Sequence, residues 1–206
     1  MMEDQLMKVL KQYKNKAIQR KKKHNLPPRP LTKNEVETII QGLTSNNLDQ
    51  KKFKIFKEEK ISNLLVRLLS QEVRRGTFPS SHAKAEGLTK FIKGELNSDY
   101  LSKTKALKLL EDMQGGAATS KLIDLLKNDF FVTGVINILK QTVLINKDEF
   151  NQLKKLSRKI SDIKNLIKSW AEREFAFDWN LKDTYHGITI KVGDNITTGH
   201  ISPSKN

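Results

Sequence analysis

Residues 102–126 read SKTKALKLLEDMQGGAATSKLIDLL. Ser102 is an N-cap residue placed just before an apolar pattern of helical spacing: Ala106, Leu107, Leu109, Leu110 and Met113. Gly115-Gly116 breaks that pattern, and Leu122, Ile123, Leu125 and Leu126 resume it with the same period. Two short helices separated by a sharp turn, each with one apolar face, form an αα-hairpin. Neither helix can bury its face alone, so the rest of the chain must supply neighbours.

Reading outward, further helices joined by short turns follow in both directions, with no strict sequence repeat at one fixed period. Toward the amino terminus, Pro79 and Ser80 open a helix through Ala85, Leu88, Phe91 and Ile92 that runs to Gly94. Before it, Ile61, Leu64, Leu65, Leu68 and Leu69 predict a helix over 58–75 with Gly76 as its stop. A polar loop is expected at 44–50. Thr32 and Glu35 make a capping-box pattern that opens a helix buried through Val36, Ile39, Ile40 and Leu43. Leu26-Pro27-Pro28-Arg29-Pro30-Leu31 must be extended, because each Pro disfavours helix at the residue before it. It reads as a rigid connector from a first helix over 1–24, whose apolar stripe is Leu6, Leu10, Tyr13 and Ala17.

Toward the carboxyl terminus, the stretch 130–145 is apolar on most sides (Phe131, Val135, Ile136, Leu139, Val143, Leu144) and is expected at the centre of the stack. Two helices are predicted over 147–158 and 160–177, the second carrying Ile163, Leu166, Ile167, Trp170, Ala171 and Phe175. The texture changes near Asn180. Ile188-Thr189-Ile190-Lys191-Val192 alternates like a strand and Gly193-Asp194-Asn195 is a turn signal. The reading is all-α, an α-α superhelix or solenoid over 1–179, with a short β segment over 180–206 as the start of a second domain.

Composition bounds the chemistry. The formal net charge is +15, and Lys greatly outnumbers Arg. A polyanion partner is one account and a solvated lysine surface is the other. The densest run is in the first helix, where Lys8, Lys11, Lys14, Lys16, Arg20, Lys21, Lys22 and Lys23 lie mostly off the apolar stripe. This is the candidate surface for a nucleic-acid or protein partner. There is no cysteine, so these residues can hold neither a thiolate zinc site nor a cysteine-bound iron–sulfur cluster. His24, His82, His186 and His200 have no metal-ligand spacing, and there is no phosphate-binding glycine loop or nucleophile elbow. No apolar run reaches membrane-spanning length and no secretory signal opens the chain, so a cytoplasmic protein is expected, without a membrane or a small-molecule substrate as partner.

The tail Gly193-Asp194-Asn195-Ile196-Thr197-Thr198-Gly199-His200-Ile201-Ser202-Pro203 is similar to the opening of the aconitase swivel domain, G-D-x-x-T-T-D-H-I-S-P. Upstream, collinear landmarks resemble the N-terminal HEAT-like domain of the aconitase B family. They are Pro28, Pro30 and Leu31 in the connector, Lys84-Ala85, Lys93-Gly94-Glu95, Met113-Gln114-Gly115-Gly116 with Leu122-Ile123-Asp124, and Ser169-Trp170-Ala171 with Glu174.

The resemblance implies a family that isomerises citrate and isocitrate through cis-aconitate in the tricarboxylic acid cycle, some members also acting on 2-methylisocitrate, with a [4Fe–4S] cluster held by cysteines. It implies that this chain, ending before those cysteines, carries no cofactor. Gly199 stands where the family has an active-site Asp, so no catalytic residue transfers, and Thr197, Thr198, His200 and Ser202 are left with a structural role. What the resemblance leaves is a non-catalytic interaction or dimerisation domain. RNA binding through the basic surface is the alternative, and a subunit or remnant of a split aconitase is a further one.

Overall fold

In the computed structural model, residues 2–45, 48–49, 52–53, 60–142 and 145–172 are described, and their regular structure is entirely helical. The strand and turn expected over 188–195, the motif residues Thr197, Thr198, Gly199, His200, Ser202 and Pro203, and the domain boundary near 180 lie outside them.

Nine α-helices follow one another among the described residues: α1 (Met2–His24), α2 (Lys33–Leu43), α3 (Ile61–Gln71), α4 (Pro79–Lys93), α5 (Lys103–Glu111), α6 (Ala117–Leu125), α7 (Val132–Lys140), α8 (Lys147–Leu156) and α9 (Ser161–Ala171). Local chemistry explains most boundaries. Thr32 and Glu35 form the capping box of α2, and Asn146 and Glu149 form a second one at α8. Pro79 is the first residue of α4, and Gly94 ends that helix in the left-handed conformation at φ 80°. Ser102 caps α5 by accepting from the Lys105 N–H.

Each helix packs mainly against helices one or two positions away along the chain: α1 on α2; α2 on α3 and α4; α4 on α5 and α6; α6 on α5, α7 and α8; and α9 on α7 and α8. This is the neighbour-to-neighbour packing of a solenoid. One continuous core runs through it, from Leu6 and Leu10 on α1 through Ile39, Leu65, Leu88, Ile92, Leu110 and Ile123 to Leu139, Ile163 and Leu166.

Three expectations change. The stretch 130–145 is not the central element: a 3-10 turn over Asp129–Phe131 precedes α7, and Phe130 is 83 % exposed. The 3-10 turn puts Phe130 outside the register that buries Val135, Ile136 and Leu139. Val143 and Leu144 lie outside the described residues. The central helix is α4, whose buried face is built from small residues (Ser80, Ser81, Ala83, Ala85, Gly87, Thr89) that let α2 approach until Gly87 touches the Ile40 side chain.

Second, α3 ends at Gln71, not at Arg75, because the Glu72 carbonyl accepts from the Leu31 N–H of the connector (2.7 Å) instead of continuing the ladder. Its start also differs from the expected one, at Ile61. Third, the segment read as a polar loop buries Leu48, and Phe53 beyond it is also in the core. The described part of the last helix ends at Ala171; Phe175 and the expected end near 177 lie outside the described residues.

Candidate functional site

Two places on the described body concentrate chemistry: the outer surface of α1 with its connector, and the turn between α5 and α6.

On α1, Leu6, Leu10 and Tyr13 are buried, while Lys8, Lys11, Lys16, Arg20, Lys21, Lys22 and Lys23 are exposed and Lys14 is half-buried. Residues 18–28 are exposed throughout, so the last two turns of α1 project past the body. The basic residues are not gathered on one stripe. A shallow groove of about 380 Å³ runs past Lys8, Lys11, Gln12 and Asn15, and another of about 290 Å³ lies among Lys16, Arg20, Lys23, His24 and Arg29.

A polar network that the sequence reading did not find holds the root of this helix. The Tyr13 hydroxyl is shared between Glu72 Oε2 (2.8 Å) and the Arg29 carbonyl (3.1 Å), and the Arg29 guanidinium lies 5.8 Å from the Tyr13 ring centroid. Arg29 also clasps Glu35 with both terminal nitrogens, at 2.9 and 2.5 Å. Burial pushes the Glu35 carboxyl up, but Arg29 and the Thr32 donors more than offset it, holding it below the usual carboxylate range. The connector, with Pro28 exposed and Pro30 half-buried, is thus pinned to α2 and to the end of α3. The Thr32–Glu35 pattern was the one visible sign of this network.

At the α5–α6 turn, Met113 is buried and Gln114, Gly115 and Gly116 all have positive φ (55°, 114° and 58°). Gly116 meets the turn after α3 backbone to backbone. Ala117 N–H donates to the Gly76 carbonyl at 3.0 Å, and a Cβ on Gly116 would lie 2.5 Å from that oxygen. Gln114 accepts from Arg75 Nη1 at 2.8 Å. A cleft of about 650 Å³ opens here, lined by residues that include Arg75, His82, Gln114, Ser120 and Glu149.

Beneath this turn, Lys84 on α4 is 3 % exposed. Burial pushes its ammonium down to about 8; Asp112 partly opposes that shift and Arg75 adds to it. Lys84 is one turn from Ser81 and from Leu88 on the buried face, so helical periodicity was the signal that could have revealed it. Trp170 closes the far end: its indole N–H donates to the Leu139 carbonyl at 3.2 Å, satisfying an acceptor in the last turn of α7.

The arrangement offers binding groups. Among the described residues there is no cluster of three or more His, Cys, Asp or Glu that could hold a metal ion, and no helix long and apolar enough to cross a membrane.

Residues 12–176 match the family described as Aconitate B N-terminal domain. The chain is 25 % identical over 197 residues to aconitate hydratase B of Escherichia coli, covering 95 % of this chain and 21 % of that protein. It is 25 % identical over 191 residues to the Pseudomonas aeruginosa protein of the same name (92 % and 21 %). It is 29 % identical over 201 residues to the one from Synechocystis (95 % and 21 %). The chain therefore spans about a fifth of the length of these relatives.

Proposed function

The chain belongs to the aconitate B N-terminal domain family, and on that premise we propose that it is a non-catalytic, HEAT-like helical domain that docks a protein partner, namely the remaining domains of an aconitate hydratase. The observation that carries this reading is coverage. The family match takes in almost the whole helical body, while four-fifths of each relative's length has no counterpart in these residues. A chain without cysteine cannot itself hold a cysteine-bound cluster, and Gly199 has no carboxylate to offer.

The partner is a protein rather than RNA. The exposed basic residues of α1 are mostly lysines that present point charges, and Tyr13 is buried, so bases are left with only Arg20 and His24 to stack on along this helix. The site of action is the cytoplasm.

Two measurements test this. After reconstitution with iron and sulfide, the chain alone should show no hydration of cis-aconitate; cluster-dependent turnover would overturn the non-catalytic reading. An aconitate hydratase B lacking its N-terminal fifth should form a one-to-one complex with this chain in sedimentation velocity. Failure to associate, together with RNA retention that weakens steeply with salt, would transfer the function to the basic surface.

A further inference from the structure

The cleft beside the double-glycine turn has the size of a small-molecule site. Its volume is about 650 Å³, and it exists because Gly116 and Gly76 bring two turns into backbone contact. Gly115 and Gly116 adopt positive φ freely, Gln114 does so at a cost, and the turn places the Gln114 amide against Arg75.

Gln114 holds one terminal nitrogen of the guanidinium. The remaining Arg75 donors have no acceptor among the described residues, and the side chain lines the cleft. His82, exposed on the first turn of α4, lines it too. Glu149 also lines it, 8 % exposed and fixed by its capping box with Asn146. Met113 and Ile145 contribute apolar wall. An arginine fork is the shape that reads a planar oxyanion. Arg75 brings a permanent positive charge, and burial pushes the Glu149 carboxyl up toward its neutral form, so a singly charged anion meets less repulsion here than a phosphate dianion.

The geometry points to a binding site for a small molecule that carries one carboxylate on an apolar body, the carboxylate on Arg75 and the body against Met113 and Ile145. This site is independent of the docking role proposed above, and its test does not depend on enzyme activity.

The full chain, labelled with 15N, is titrated with butyrate at constant ionic strength, with chloride and inorganic phosphate as separate arms. The amides of Gly76, Gly115 and Gly116 and the Arg75 side chain should shift saturably with butyrate and not with chloride. Arg75→Met and Arg75→Lys should each weaken the binding at least ~10-fold, the second because it keeps the charge and loses the fork. Arg74→Met, which removes the guanidinium stacked on Phe78, should leave the titration unchanged. The proposal is overturned by linear shifts with butyrate, by equal binding in Arg75→Lys, or by phosphate binding as tightly as butyrate.

Discussion

The two joints of this domain solve one problem in opposite ways. At the amino-terminal end, α1 and the proline connector are fastened by side chains: Tyr13 to Glu72, Arg29 to Glu35, and the Thr32 cap between them. At the α5–α6 turn the fastening requires that side chains be absent, so that the Gly76 carbonyl can receive the Ala117 N–H directly. Removing one partner weakens a side-chain joint by one hydrogen bond. Adding a single carbon to the backbone joint blocks it.

Gly116→Ala should therefore cause the largest loss. It combines a backbone conformation closed to alanine (φ 58°, ψ −126°) with a Cβ 2.5 Å from the Gly76 oxygen. A destabilisation of about 3 kcal/mol or more is expected in chemical denaturation; a value within error of the parent chain would break the contrast.

Lys84→Met is expected to act in the other direction. In the parent chain Lys84 titrates near 8 when folded and near 10.5 when unfolded. Between those values the unfolded chain holds the proton and the folded chain does not, so stability rises with pH across that window. The rise is on the order of 2–3 kcal/mol. The methionine variant should be more stable at neutral pH and should lose that rise; thermal melts at pH 7 and pH 10 check both.

Tyr13→Phe should cost about 1–2 kcal/mol, since it strands one hydrogen bond to a charged acceptor. The smallest effect belongs to Glu35→Gln. The folded Glu35 carboxyl titrates below its usual value of 4.5. Its contribution is complete above that value and disappears as pH falls through the lowered one, so the variant should flatten the acid limb of the stability curve in denaturation followed from pH 7 down to pH 3.

The same contrast explains what could be read from sequence. Capping residues act within three or four positions of themselves, so Ser102, Thr32 with Glu35, Pro79 and Gly94 announced their helices without help from the fold. Met113-Gln114-Gly115-Gly116 announced a turn, but not that the turn would close on Gly76. That contact joins residues far apart in sequence, and only the packing of α6 on α4 brings them together.

Apolar density misled at 130–145, where a 3-10 turn shifts the register and leaves Phe130 in solvent. It also hid the true centre, because α4 is buried through serine, alanine, glycine and threonine. Lysine count pointed to α1 and passed over Lys84, the lysine whose position is least ordinary. The residues of the Arg75 cleft come from three separate stretches, 75–82, 113–120 and 145–149, so no local motif could have grouped them.

The projecting end of α1 has a colloidal consequence. A solenoid helix that showed an apolar face to water would recruit a second copy. Here the outward side of α1 offers Lys8, Lys11, Lys16 and Lys23 to water, so two copies approaching by that end repel each other over about 10 Å at 0.1 M salt. Contact between two copies through this face therefore carries a repulsion that added salt weakens.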